Sequence, residues 1–385
     1  MRRRRPLIRI AMVLLAAALV VGACGGDDDD DDAGSDDGGG SEEEASGDLT
    51  PVSLQLQWVA QAQFGGYYSA VAEGYYEDEG LDVEIVEGGV DIVPQTQLAT
   101  GAVDFAIAWV PKALASREED AAITDIGQIF QRSGTLQVSW ADSGITEPAD
   151  LAGKNVGNWG FGNEFELFAG LRQSGLDPAS DVTLVQQNFD MAALLSREID
   201  AAQAMTYNEY AQVLETTNPD TGELYQPDDL SVINWNDVGT AMLQDAVWAD
   251  TGRLADDAEY RDTAVKFLKA SIKGWIFCRD NFDDCVQNVL DAGPTLGESH
   301  QQWQLAEINK LIWPSPDGIG MIDEALWTQT VDVAVTEEII AAAPDADAYT
   351  NDLVEEALGA LEEEGVDVNG DDYTAPEVTL NEGGS

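Results

Sequence analysis

The chain has 385 residues, 18 of them basic and 73 acidic, for a formal net charge of −55. So negative a chain repels nucleic acid and other polyanions, which excludes them as partners and suits a protein kept soluble by hydrated carboxylates. No hydrophobic stretch after the N-terminal one reaches membrane-spanning length, so a polytopic membrane protein is excluded as well.

Arg2 to Arg5 precede an apolar run, Leu7 to Val21, that is too short to span a bilayer comfortably, which is the pattern of an export signal. It ends in Val21-Gly22-Ala23-Cys24, similar to the bacterial lipoprotein box, so residues 1–24 read as a lipoprotein signal peptide with Cys24 as the lipidated residue. Residues 25–48 are nearly all Asp, Glu, Gly and Ser and bury too little apolar surface to offset chain entropy. They read as a disordered acidic tether between a membrane anchor and a folded domain. Beyond the signal and tether remain 61 acidic and 13 basic residues.

From there β-rich runs alternate with amphipathic stretches, the signature of an α/β protein with largely parallel sheets. Val52 to Val59 reads as a strand, Phe64 to Tyr76 as a helix, Asp82 to Val86 as a strand, Val93 to Thr100 as a helix and Asp104 to Val110 as a third strand. A second unit begins near Ser139. Its strands are Asn155 to Asn158, Val182 to Gln186 and Ala201 to Thr206, and its helices Phe165 to Ser174 and Met191 to Arg197. After Asp262 the pattern turns mostly helical, through Ala264 to Phe277, Gln301 to Ile312 and Asn351 to Glu363, and 365–385 reads as a frayed tail. Two doubly wound units place strand ends and loops face to face, where ligands bind in open α/β sheets.

Several segments in order, "LQLQWVAQAQFGGYYSAVAEGYYEDEGLDVEIVEGG", "ATGAVDFAIAW", "DLAGKNVGNWGFGNEFE", "AAQAMTYNEY" and "GWIFCRDNFDDCVQNVL", resemble the solute-binding proteins of ABC importers for thiamine pyrimidine precursors, nitrate, sulfonates and taurine. The opening and the Met205-Thr206-Tyr207-Asn208-Glu209-Tyr210 segment look most like the pyrimidine-precursor branch, which shares its fold with pyrimidine synthases and riboflavin-binding relatives. The resemblance implies a two-lobed type II periplasmic-binding-protein fold. Lobe one is expected at 49–138 and 240–364 and lobe two at 139–239, with crossovers near Gly134 to Gly144 and Asn234 to Thr240 and the C-terminal helices on lobe one. It also implies a monomeric, lipid-anchored extracytoplasmic receptor that hands a small molecule to an ABC permease. The chain carries no Walker loop, so ATP hydrolysis falls to a separate ATPase subunit, and no cofactor is expected.

A flat heteroaromatic ligand needs π faces and a few directed hydrogen bonds. Trp58, Tyr67, Trp109, Trp159 and Phe161 fall at predicted strand exits and could supply the faces; each could equally be core packing. Gln61, Gln63, Asn163, Tyr207, Asn208 and Glu209 offer the polar contacts. Glu209 is the first choice, because a carboxylate accepts from an exocyclic amine and a protonated ring nitrogen together; a plain helix-start carboxylate is the other reading. Asn163 could be an N-cap. The turn from Trp159 to Asn163 also brings backbone amides to a helix start, which keeps nitrate, sulfonate or phosphate open as ligands, with Lys112 and Arg132 as the nearby cations. Glu164 and Glu166 stand against them.

Cys278 and Cys285 lie about 10 Å apart on one continuous helix, beyond disulfide reach. A break at Arg279-Asp280-Asn281 would bring them together, so a disulfide and two buried thiols both stay open. His300, the sole histidine, reads as a surface or capping residue, which leaves no basis for a triad or a His-rich metal site. Pyrimidine synthases of this fold depend on a histidine and a cysteine-rich segment in the first lobe, and neither is present. Asp367, Asn369 and Asp371 imitate a calcium loop, but Asp372 stands where its glycine belongs and Val378 where its glutamate belongs. No metal is expected.

Overall fold

The structure, a computed structural model, describes residues Leu49–Gly384. The signal peptide, the lipidated Cys24 and the tether lie outside the described residues.

Ten strands form two five-stranded sheets. The first contains β1 (Thr50–Gln55), β2 (Leu81–Val86), β3 (Phe105–Trp109), β4 (Ile123–Gln128) and, from much later in the chain, β10 (Asp245–Asp250), in the order β2-β1-β3-β10-β4. The second contains β5 (Thr135–Trp140), β6 (Asn155–Asn158), β7 (Thr183–Gln186), β8 (Ala201–Met205) and β9 (Leu230–Asn234), in the order β7-β6-β8-β5-β9. β1 runs parallel to β2 and β3, and β6 parallel to β7 and β8. In each sheet one strand runs against its neighbours: β10 against β3 and β4, and β5 against β8 and β9. Helices cover both sheets, giving the two-lobed α/β architecture.

The first crossing lies a little earlier than the sequence indicates. Thr135–Trp140 is already a strand of the second sheet, so the chain changes sheets between Gln128 and Thr135 and the expected boundary at Ser139 falls inside β5. It returns between Asn234 and Asp245, beyond the expected Thr240. Glu166 ties the two crossings together: it accepts from Ser133 Oγ at 3.0 Å in the first and from the Met242 backbone N–H at 2.7 Å in the second. Its carboxyl is buried, which pushes its pKa up to about 7.

The expected helix from Phe64 to Tyr76 is broken. Gly65–Ala72 and Tyr75–Asp78 are separate helices because Gly74 takes a left-handed φ of 73°. Gly65–Ala72 packs on the long helix Ala258–Asp280 so closely that a Cβ on Gly274 would run into the Gly66 carbonyl. That long helix ends at Asn281, whose φ and ψ of −128° and 62° start a new helix, Phe282–Ala292. The break brings Cys278 and Cys285 to a Cα separation of 5.0 Å, and they are joined by a disulfide.

The segment after Gly365 is packed, contrary to the expected frayed tail. Val368 is buried, Tyr373 lies on the first-lobe core and Leu380 on the second-lobe core. Gly383 N–H donates to the Glu215 carbonyl at 3.0 Å. Apolar side chains spaced along this stretch give it purchase on both lobes. Within it, Asp367 accepts from the backbone of Asn369 and Gly370, a turn that fastens to Ser315 and Pro316 through the Asn369 amide. Among the described residues no cluster of His, Cys, Asp and Glu could hold a metal. Among them also, no helix is long and apolar enough to cross a membrane.

Candidate functional site

A cleft of about 520 Å³ opens between the two sheets. Lobe one lines it with Gln57, Trp58, Gln61, Gln63, Trp109 and Lys112, and with the stretch Ile92 to Gln95; lobe two contributes Trp159, Phe161, Asn163, Phe189, Tyr207, Asn208 and Glu209. Loops at strand ends place these side chains, because β1 stops at Gln55, short of the expected Val59, and Trp58 stands on the loop beyond it.

Tyr67 does not join them. Its ring is buried in the first-lobe core at 5.7 Å and 82° from Trp275, because the tight approach of the two helices turns this face inward. Arg132 also falls outside the cleft: its guanidinium donates to the carbonyls of Lys310, Leu311 and Pro314, capping the helix Glu298–Ile312. Phe189 gave no sequence signal, since it sits in an irregular loop after β7. It lies between the lobes' aromatic walls, 4.8 Å from Trp58 and 5.8 Å from Trp159 between ring centroids, and nearly parallel to the latter at 23°. The Trp159 indole N–H is buried without a hydrogen-bond partner among the described residues, as is the Gln95 carbonyl oxygen. Phe161, 72% exposed, stands at the mouth.

Beneath the rings runs a continuous polar floor. Trp109 Nε1 and Gln63 Nε2 each donate to one oxygen of Asp245 at 2.8 Å. Gln61 donates to Gln63 at 2.6 Å, and Gln304 donates to both Gln61 and Asn208 at 3.1 Å. Asn208 in turn donates to Glu209 Oε1 at 3.1 Å, while Glu209 Oε2 accepts the Met205 backbone N–H at 3.0 Å. Burial raises the carboxyls of both Glu209 and Asp245, the latter to about 6. Glu209 is the first residue of the short helix Glu209–Leu214, so it is a helix-start carboxylate and a cleft-lining one together.

His300 is a correction to the surface reading. It is buried below this floor, with Nδ1 at 3.0 Å from Glu215 Oε2 and Nε2 at 2.9 Å from Asn208 Oδ1. It reaches from the helix Glu298–Ile312 to the second lobe, and Trp303 of that helix also donates to the Thr206 carbonyl at 3.0 Å.

The glycine-rich turn is built for shape. Gly160, Phe161 and Gly162 all have left-handed φ, at 70°, 56° and 83°. Its amides are largely taken: Trp159 N–H donates to Gln203, Gly160 to Asn158, Gly162 to Glu164 and Asn163 to the Gly160 carbonyl. The Asn163 side chain also donates to the Gly160 carbonyl, at 2.7 Å, and the N-cap position of the following helix belongs to Glu164. An anion would find few free donors here.

Two lobes with a cleft between them make up the periplasmic-binding-protein fold. A solved sulfonate ABC transporter periplasmic protein, SsuA of Methylobacillus flagellatus KT, aligns with a TM-score of 0.61 at 18% identity, covering 86% of this chain and 99% of its own. Residues 61–284 match the NMT1/THI5-like family, and the chain belongs to it. A formylaminopyrimidine-binding protein of Halalkalibacterium halodurans is 24% identical over 63% of this chain and 70% of its own length. The riboflavin-binding protein RibY of Chloroflexus aurantiacus is 26% identical over 80% and 88%. A 4-amino-5-hydroxymethyl-2-methylpyrimidine phosphate synthase of Aspergillus parasiticus is 25% identical over 64% and 72%.

Proposed function

We propose that this protein is a lipid-anchored extracytoplasmic receptor of an ABC importer, which closes its lobes on a small heteroaromatic solute and delivers it to a permease with a separate ATPase. The first-choice ligand is an aminopyrimidine precursor of thiamine. The observation that carries this reading is the pairing, in one cleft, of aromatic walls from both lobes (Trp58, Phe189, Trp159) with a carboxylate and amide floor centred on Glu209 and Asn208. Rings bind flat faces, and buried carboxylates discriminate by the donors they accept. Hinge motion about the crossings held by Glu166 would close the lobes. A binding role is favoured over acid–base catalysis because the sole histidine is engaged on both ring nitrogens below the floor.

Cleft volume favours a second ligand. At about 520 Å³ the space suits a drug-sized molecule, so a flavin such as riboflavin fills it better than a single ring does. An oxyanion is disfavoured by the occupied turn amides. Calorimetry and thermal shift of the mature protein against an aminopyrimidine, riboflavin, nitrate and taurine test the reading. A ligand at 100 times its dissociation constant adds about 2.7 kcal/mol of stability. Binding of a heteroaromatic that is weakened in Glu209→Ala supports the reading, and a response to the oxyanions alone refutes the ligand class.

A further inference from the structure

Among the described residues, Lys112 is the single basic one lining the cleft. It stands in the first turn of the helix Val110–Glu118, where the macrodipole disfavours a cation. Its stem lies along the second lobe's turn, with Cγ and Cε 3.5 and 3.8 Å from where a Gly162 Cβ would be. The ammonium sits 4.8 Å from the centroid of the Trp109 ring. Among the described residues its ammonium has neither an ion pair nor a hydrogen bond to the protein, while nearby Asp245 already accepts from Gln63 and Trp109, one at each oxygen. Burial lowers it to about 8. An ammonium has three N–H donors and no acceptor, and keeping it half-withdrawn from water without a partner is costly.

The chemistry of its surroundings narrows what it receives. Asp245, Glu164 and Glu209 lie about the same cleft or its rim, and the turn amides that would help to hold an anion are occupied. One ammonium among three carboxyl groups does not balance a phosphate or sulfonate, whereas a neutral carbonyl oxygen needs only a donor. Building on the proposed receptor role, we infer that Lys112 orients the ligand by donating to an uncharged carbonyl oxygen. The protein thereby selects heteroaromatics that carry a carbonyl, such as an N-formyl amide or a dioxo ring, over those that lack one or bear a phosphate.

The test is calorimetry at pH 7 on the mature protein and on its Lys112→Met and Lys112→Arg variants, with unfolding midpoints as a check of folding. The probes are an N-formyl aminopyrimidine, the uncharged hydroxymethyl aminopyrimidine and its phosphate, riboflavin and riboflavin phosphate. The expected result is at least tenfold preference for the formyl compound over the hydroxymethyl one, or tight riboflavin binding. In Lys112→Met the carbonyl ligand weakens at least tenfold while the hydroxymethyl compound changes less than about twofold; Lys112→Arg retains part of the preference, and phosphates gain nothing. Unchanged affinity in Lys112→Met, or preference for a phosphate, overturns the role of Lys112 and leaves the receptor intact. Failure of the unmodified protein to bind any heteroaromatic overturns the receptor's ligand class and this inference together.

Discussion

His300→Ala should be among the most damaging single changes outside the hydrophobic core. The His300 and Glu215 side chains are only 3% and 2% exposed, and the imidazole engages both carboxylate oxygens through Nδ1. Removing it strands the Glu215 carboxylate away from water, and unpairing a buried charge costs about 3–5 kcal/mol. An unfolding entropy of about 2.1 cal/mol/K per residue, summed over Leu49–Gly384, makes 1 kcal/mol worth roughly 1.4 °C, so the midpoint should fall by roughly 4–7 °C. Scanning calorimetry at pH 7 on wild type, His300→Ala, Glu215→Gln and the double variant isolates the pair. With Glu215 neutralised, losing His300 should cost at least about 2 kcal/mol less than in the wild type. Additivity within about 0.5 kcal/mol would refute the coupling and the charge argument with it. The pair also joins the two lobes, so His300→Ala should weaken ligand binding as well.

Asp125 is buried, with one oxygen accepting from Gly127 N–H at 3.0 Å and the other unpartnered among the described residues, and burial pushes its pKa up to about 8. Between about pH 4 and 8 the folded state holds a proton that the unfolded chain has released, so stability falls as pH rises through that window. Asp125→Asn should flatten the loss, and its advantage over wild type in urea midpoints should be larger at pH 8 than at pH 5. Replacing Cys278 and Cys285 by serine opens a short covalent loop and should cost about 2.5 kcal/mol by chain entropy, measured by chemical denaturation. Trp159→Ala removes a ring that stacks on Phe189, and should weaken a heteroaromatic ligand about tenfold in calorimetry while leaving the far-UV spectrum unchanged. Deleting residues 374–384 takes away Leu380 and the Gly383 hydrogen bond, so the unfolding midpoint should drop; no change would show that this segment contributes nothing.

β1, β2, β3, β6, β7 and β8 were legible as short apolar or alternating runs bounded by turn residues, whether they lie at a sheet edge, as β2 and β7 do, or in its buried middle, as β3 and β8 do. β4, β5, β9 and β10 were not. Every residue of β4 and β5 is buried; ITDIGQ mixes polar with apolar side chains without period, and TLQVSW, though it alternates, lies in the stretch read as the crossing between lobes. The polar ones are satisfied from distant segments, as when Gln137 donates to the Gly157 carbonyl at 2.9 Å. The cleft was legible where strand ends carry aromatics and amides next to turn residues. Asp245 was hidden because its strand was. His300 was misread because "GESHQQW" looks like an exposed helix start, while its partner Glu215 stands 85 residues away in the chain. Tyr67 went wrong because its orientation is set by Gly66 and Gly274, a steric fact of two helices that no local pattern announces.

β10 lies between β3 and β4, yet it is made only after the whole second sheet. During synthesis the first lobe therefore cannot complete its sheet until the chain has passed Asp250, while strands β5 to β9 can already pair among themselves. The second lobe has the shorter loops to close and should form first; the first waits with β4 unpaired, its apolar faces open to wrong partners. A nascent or translocating chain of this kind would spend its riskiest interval between those two events, and truncation between β9 and β10 should leave the second lobe folded and the first sticky.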